Sequence, residues 1–371
     1  MIKIATYNLN NLFERVKVMD LEGFSKEAQI ILDDVKRINE LLSYEDYNEV
    51  KDEIIALLTK YFLRKNNNKY TTKLNEWFQI VEVRGKLYKL KRDGSGIELT
   101  VKGRRDWNGW VELTKGKTNG ESVVNTARVL NAVKADIVCT VEVDNRIALK
   151  NFSELMRNNF QFGYKNSMLI DGNDNRGIDV GLLTNFEIGK VYSHINDRYL
   201  DSHKREQNVF SRDCAEYEII LPNKQVLYVL CNHFKSKGYG NPVSNDNKRK
   251  LQVDHVVQIL SKYDLKKDYV VVAGDFNDTP ERIPLQRLLQ LPNLNDVFKA
   301  PQFKDQPTWT YHTGNQQIDY LLVSEPLFHK IHDVGVERRG IFRKGNKYFP
   351  EVTSKANQAS DHACVWATFD V

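Results

Sequence analysis

The 371-residue chain lacks the features that would place it in an oxidising compartment or a membrane. It has only four cysteines, Cys139, Cys214, Cys231 and Cys364, each in or beside an apolar strand-like run. None forms a C-x-x-C pair or stands at zinc-ligand spacing from a histidine. Disulfide scaffolds and zinc fingers are thereby excluded, and reduced core residues are expected. No apolar run approaches the roughly 18 residues needed to span a bilayer. Ile2-Lys-Ile-Ala-Thr-Tyr7 reads directly as a strand, without a charged leader or apolar h-region, so a soluble cytoplasmic protein is expected. Neither charge sign dominates. Fifty-four basic residues against 49 acidic ones leave a net charge of +5, which favours an anionic partner without naming nucleic acid. A serine elbow, a cysteine nucleophile, internal repeats and long low-complexity runs are also missing.

What is present is an ordinary globular composition, 41% hydrophobic and 28% charged, with ample material for a large core. Val123, Ala127, Leu130 and Val133 share one face of a predicted helix over 122–133. A buried strand, Asp136–Glu142, follows, then a short helix over 151–160. Strands are expected at 179–183, 213–221, 225–233, 269–275, 318–323 and 363–369, with a helix over 245–263. Many strands with few interleaved helices predict an α/β fold in which two packed sheets are flanked by helices, rather than a strictly alternating doubly wound sheet.

Residues 14–117 differ in character and read as an insertion into a domain made of 1–13 and 118–371. A helical pair is expected over 26–64, a polar stretch over 65–73, and a small β-subdomain over 76–114. Asp93-Gly94 and Asn108-Gly109 serve as hairpin turns in this reading. The first half of the insertion is acidic. The second half, Lys60–Lys117, is basic, with Trp77, Tyr88, Trp107 and Trp110 interleaved. Such a segment can follow a phosphate backbone and stack bases, or can be a core β-subdomain with its tryptophans buried.

The chemistry-bearing signals stand at strand ends. In Val270-Val-Val-Ala-Gly-Asp275-Phe-Asn277-Asp-Thr-Pro280 an apolar strand stops abruptly in a carboxylate, with an amide two residues on. If extended geometry continues, both side chains point to one side, and Gly274 permits a close backbone approach. A turn or cap is the plainer alternative. A calcium loop is not, because Pro280 and Gln286 occupy the positions that need glycine and an acid. In Ala359-Ser-Asp361-His362-Ala an acid and a histidine precede the last strand. Asn8 and Asn10 follow the first strand, Glu142 ends the second, His233 precedes Phe-Lys235-Ser-Lys237, and Asp319 lies in Gln317-Ile-Asp-Tyr. Singly, each is more often a cap or a satisfied polar group. Together, groups on different strand ends can converge on one open-sided metal site, and oxygen ligands point to Mg²⁺ or Mn²⁺ rather than zinc.

Tyr-Asn-Leu-Asn, Val-Glu-Val, His-Phe-Lys-Ser-Lys, Gly-Asp-Phe-Asn-Asp, Gln-Ile-Asp-Tyr and Ser-Asp-His-Ala, in that order, resemble the endonuclease/exonuclease/phosphatase superfamily, including its deoxyribonuclease-like and exonuclease III-like members. The resemblance covers residues 1–13 and about 121 to the end, and has no counterpart for the insertion. It implies a four-layer α/β/β/α sandwich with the site at one edge. It also implies Glu142 as principal metal ligand, with Asp361 and Asn8 or Asn10 completing or supporting the site. Asp275 and Asn277 would position the attacking water, with Asp275 taking its proton in one version. His362 would be oriented by Asp319, and His233 would stabilise the phosphate or protonate the leaving group. Which residue is the general base stays open.

Arg176 and Arg212 could clamp phosphate or form structural ion pairs, while Lys235 and Lys237 flank a proposed catalytic histidine. An amide at Asn10, where several nucleic-acid members carry an acid, departs from the pattern. So does the long span between Asp319 and Asp361, in which Arg338-Arg-Gly-Ile-Phe-Arg343 could form an edge loop. His233 stands where apurinic endonucleases carry tyrosine, which argues against abasic-site repair. The expected activity is Mg²⁺-dependent hydrolysis of DNA or RNA. A phosphatase or phosphodiesterase acting on a small-molecule, inositol or lipid headgroup phosphate is the alternative, and an inactive binding protein a further one.

Overall fold

Local sequence signals account for most elements of the structure, a computed structural model that describes residues 1–12, 26–114, 120–174, 176–201, 203–238 and 241–371. The chain forms two units, Met1–Phe13 with Thr118–Val371, and Glu14–Lys117. The chain positions that join them, at 13/14 and 117/118, lie outside the described residues.

Strand β1 (Ile2–Leu12) opens the larger unit. The smaller unit contains α1 (Lys26–Leu42), α2 (Lys51–Phe62), β2 (Leu63–Asn66), β3 (Lys69–Thr72), β4 (Phe78–Arg84), β5 (Tyr88–Leu90), β6 (Ile97–Leu99) and β7 (Asn108–Leu113). Ile31, Val35, Ile38 and Leu42 recur at helical spacing along α1 and pack with Ile54 and Leu58 of α2, Phe78 and the fully buried Trp107. The polar 65–73 stretch is a hairpin. Asn67 and Asn68 take φ of 44° and 60°, a left-handed pair that asparagine tolerates and that matches strand twist. Asn108-Gly109, expected as a turn, lies instead inside β7. A Cβ on Gly109 would come 2.4 Å from the Trp107 ring, so this glycine serves packing rather than a bend.

The larger unit resumes with α3 (Gly120–Val133), β8 (Ile137–Val143), α4 (Arg146–Phe160), β9 (Asn166–Leu169), β10 (Asp179–Thr184), β11 (Glu187–Tyr192), β12 (Arg198–Leu200), β13 (Glu206–Asn208), β14 (Cys214–Ile220) and β15 (Val226–His233). Then come α5 (Pro242–Leu260), β16 (Tyr269–Asp275), α6 (Gln286–Leu289), β17 (Leu294–Asp296), β18 (Asp319–Ser324), α7 (Glu325–Phe328), β19 (Ile331–Glu337) and β20 (Cys364–Phe369). Helix α4 starts earlier than its apolar period indicates because the Asn145 side chain caps Ala148 N–H. Asn241 caps α5, with proline in its first turn.

Two six-stranded sheets result, ordered β19-β20-β1-β8-β10-β9 and β11-β14-β15-β16-β18-β17. The pairs β1/β8 and β15/β16 are parallel and the other pairings in these sheets antiparallel. Period-two alternation sorts each strand between layers. On β16, Val271 and Ala273 join the core between the sheets, while Val270 and Val272 pack on the α5 side. Ala127, Leu130, Leu149 and Phe152 of α3 and α4 cover the other sheet through Ala5 and Val138. The layers therefore run α/β/β/α. All four cysteines are free and buried. Among the described residues no helix is long and apolar enough to cross a membrane.

Candidate active site

The strand ends carrying polar residues meet where the two sheets come together. Asn8, from β1 of one sheet, donates through Nδ2 to Asp275 Oδ2 on β16 of the other at 3.2 Å. Both side chains are buried. Three site residues, Asn10 (φ 49°), Glu142 (φ 62°) and Asn277 (φ 54°), have left-handed backbone. For glutamate that conformation is costly, and such strain concentrates at functional sites. Its cause is a bulge. Asp179 pairs with Val143 and Val180 with Val141, which leaves Glu142 without a partner in that register. Strand β1 bulges opposite it, between Asn8 and Leu12. The paired irregularities release Glu142 and Asn10 from the ladder at the mouth of the sandwich.

Asp275 is the hub. Besides Asn8, its Oδ2 faces His233 Nε2 at 3.7 Å and His362 Nε2 at 3.9 Å. Its Oδ1 accepts the Asn277 backbone N–H at 2.8 Å. The chain thus does not continue as a strand through Asn277. It closes an Asx turn, and Asn277 Nδ2 donates to Phe234 O at 3.2 Å. Gly274 makes this exit possible. At φ 139°, a Cβ there would sit 1.9 Å from Asn232 O.

His362 Nδ1 lies 2.8 Å from Asp319 Oδ2, both residues being buried. Ser360 Oγ accepts the His362 backbone N–H at 3.0 Å and donates to Asn8 O at 2.8 Å, binding the last strand to the first. Burial alone would lower the His362 pKa. Asp319 and then Asp275 outweigh it and hold the imidazole well above its ordinary range. His233 differs. Burial, then Arg212 and His362, push it well below that range, and its Nδ1 is buried without a hydrogen-bond partner. Loss of solvent raises the Asp275 pKa against the opposing charge of His362, with Asp319 and Glu142 adding to the rise. The Glu142 pKa is raised by burial, with the His362 charge and a bond from Asn8 opposing, and the Asp361 charge adding to the rise.

A divalent cation fits this set. Four carboxylates, Glu142, Asp275, Asp319 and Asp361, act on one another or on His362 at close quarters. Asp319 Oδ1 is buried without a hydrogen-bond partner. Among the described residues Glu142 forms no ion pair. Partly buried oxygen donors with excess negative charge call for a hard cation. Glu142, Asp361 and Asn8 could hold it. Asp361 lies at the surface of the site, 3.9 Å from His362 Nε2. The Asn10 side chain is exposed, and its backbone N–H bonds Asn8 Oδ1 at 2.9 Å. Asp275, Asp319 and His362 also offer atoms close enough to share an ion, although the Asp319 bond to Nδ1 favours an oriented histidine.

Arg176 and Arg212 converge on one carboxylate, Asp174, at 2.7 and 3.1 Å. Arg212 is buried and its charge acts on Glu142 and Asp275, whereas Arg176 is exposed. Asn175, between Asp174 and Arg176, lies outside the described residues. Lys235 is half-buried, with its pKa lowered by burial and then Arg212. Lys237 donates to Gln316 Oε1 at 3.2 Å and stands 3.6 Å from Asp278. The Arg338–Arg343 span is anchored by Arg338, which donates to Trp309 O at 3.0 Å.

Sequence reasoning missed several groups. Tyr311 packs its ring 4.9 Å from His362. Thr310 Oγ1 accepts the Ile318 and Asp319 N–H groups at 3.0 Å. Asp278 pairs with buried Arg249 at 3.1 Å, supporting the turn after Asp275. Ser360 and Asp278 lie inside the quoted motifs, so their role was within reach. Thr310 and Tyr311 occupy a loop without a strand-end pattern.

A model of the Endonuclease/Exonuclease/phosphatase family matches residues 107–362. The match omits β1, the strand that carries Asn8 and Asn10. A search of curated proteins finds no match. Among solved structures, truncated Caenorhabditis elegans TDP2 is similar at 18% identity, over 68% of this chain and 92% of that one, with a TM-score of 0.45. The human Nocturnin catalytic domain gives 16%, 68%, 87% and 0.48 for the same quantities. An AP endonuclease from Archaeoglobus fulgidus gives 16%, 68%, 95% and 0.47.

Proposed function

The chain belongs to the Endonuclease/Exonuclease/phosphatase family of phosphoesterase hydrolases, and we propose that it hydrolyses phosphodiester bonds in nucleic acid by water attack on phosphorus, with Mg²⁺ as cofactor. The observation that supports this best is the convergence of Asn8, His233 and His362 on Asp275 Oδ2, with His362 backed by Asp319.

Asp275 is the candidate proton acceptor. A carboxylate whose pKa is raised takes a proton from water more readily than an ordinary one, and the Asn277 N–H keeps it aimed. His362, kept cationic by Asp319, donates from Nε2 to a phosphoryl oxygen and opposes the charge that builds there. His233, kept neutral by burial, binds the phosphate or leaving oxygen through a ring N–H, and an arriving anion raises its pKa. Arg212, with Lys235 and Lys237, adds positive charge for the flanking phosphates. Glu142, Asp361 and Asn8 would hold the cation, with Asn10 in support. When bound, such an ion polarises a phosphoryl oxygen and offsets charge on the leaving oxygen.

In the smaller unit Trp107 is core, and Trp77 and Tyr88 are half-buried against that core. Trp110, at 45% exposed, is the most open tryptophan of this segment and the best placed to stack on a base. The test is hydrolysis of plasmid, single-stranded DNA, RNA and bis-p-nitrophenyl phosphate, with Mg²⁺ or with chelator. Mg²⁺-dependent cleavage of a polymer is expected. Cleavage of the small ester with no attack on any polymer would overturn the nucleic-acid assignment.

A further inference from the structure

A second set of ligating side chains shares no residue with the site built around Asp275. His194 follows β11, Asp197 precedes β12, and His255 sits on α5. His194 Nδ1 and His255 Nε2 stand 2.7 and 2.6 Å from the same atom, Asp197 Oδ2. One ligand atom from each residue lies within 4.8 Å of the others. The remaining ring nitrogen of His194, Nε2, is 2.5 Å from Oε1 of buried Glu216 on β14. Glu216 is itself held by the Tyr263 hydroxyl and by Lys262 at 3.1 Å.

We propose that His194 Nδ1, His255 Nε2 and the Asp197 carboxylate bind a zinc-class dication, and that Glu216 fixes His194 as the Nε2–H tautomer. A neutral imidazole has one N–H and one lone pair. Once Nε2–H is donated to Glu216, the Nδ1 lone pair of His194 faces Asp197, which is also an acceptor. Two acceptors at 2.7 Å need either a second proton or a cation between them. A carboxylate on the far nitrogen of a histidine is the usual support of a zinc ligand. Two imidazoles with one carboxylate select zinc, cobalt or nickel over magnesium, unlike the oxygen set around Glu142. The Phe210 ring, 5.6 Å from His255 and 6.4 Å from His194, forms an apolar wall. Asp197 and His255 are partly exposed, which leaves room for water as a fourth ligand. A bound ion would tie the segment between β11 and β12 to α5.

The test uses the full chain stripped with chelator and titrated with Co²⁺, a spectroscopic substitute for zinc. Glu142→Ala removes the main ligand of the other centre. One Co²⁺ with tetrahedral visible absorption is expected in wild type and in Glu142→Ala, with the absorption lost in His255→Ala and in Asp197→Asn. Glu216→Gln should weaken binding about 10- to 100-fold. Zn²⁺ should raise the Tm of Glu142→Ala but not that of the Glu142→Ala/His255→Ala double variant. Folded Glu142→Ala protein that binds neither metal, or absorption that survives His255→Ala, would overturn the proposal in favour of a proton-linked network alone.

Discussion

The Nδ1 of His362 lies 2.8 Å from Oδ2 of Asp319, while its Nε2 faces Asp275 Oδ2 at 3.9 Å. One carboxylate therefore holds the charge and the ring plane of the histidine, and the other lies beside its second nitrogen. Asp319 acts on the reaction chiefly by holding His362. Asp319→Asn should lower kcat by roughly 100- to 10,000-fold with little change in KM. A loss confined to KM in steady-state assays would mean that Asp319 serves binding instead.

Asp275 ties the site to pH-dependent stability. Its folded-state pKa is raised, so between the ordinary carboxylate range and the raised value the folded state holds more protons than the unfolded one. Stability from this group is thus full at low pH and falls as pH rises through that window. Asp275→Asn should raise Tm in metal-free protein near pH 8 and abolish turnover in Mg²⁺. A lower Tm for the variant across that range would show that the carboxylate stabilises the fold.

Gly274 should tolerate no side chain. A Cβ would lie 1.9 Å from Asn232 O at a φ of 139°. Gly274→Ala should therefore lose well over the roughly 1–3 kcal/mol of backbone strain alone. Gly120→Ala, where a Cβ meets open space, is the control and should leave the thermal midpoint within error.

Two of the three tryptophans of the smaller unit, Trp107 and Trp110, should separate binding from folding. Trp107→Ala removes a fully buried ring and should cost about 3–5 kcal/mol in denaturant unfolding. Trp110→Ala should leave stability intact and weaken binding to single-stranded DNA by about 1–3 kcal/mol in fluorescence titration. Unchanged affinity would remove this unit from the substrate path.

Much of this was legible in the sequence because abrupt apolar-to-polar steps survive without coordinates. Strand β16 ends at Asp275 where its residues say it should, and α1 spans Lys26–Leu42 as its period indicates. The fold class follows from the same patterns. Edge strands such as β9 and β11 were less legible, since half-exposed strands carry weak alternation. The bulge at Glu142 was invisible, because glutamate gives no signal for left-handed backbone. The sequence left both an extended run and a turn open at Asn277, and the structure has an Asx turn, since the Asp275 carboxylate competes for the N–H that would continue a strand. Tyr311 reaches His362 only through a loop whose path depends on the whole assembly.

The role of Asp275 and of a divalent cation is decided by turnover of the purified protein. Initial rates of plasmid and bis-p-nitrophenyl phosphate hydrolysis would be compared for wild type and Asp275→Asn, in Mg²⁺ and in excess chelator. Wild type with Mg²⁺ should cleave both substrates, and rates should fall to background in chelator and for Asp275→Asn. Equal wild-type rates with and without chelator, or a wild-type rate in Asp275→Asn, would contradict the corresponding role.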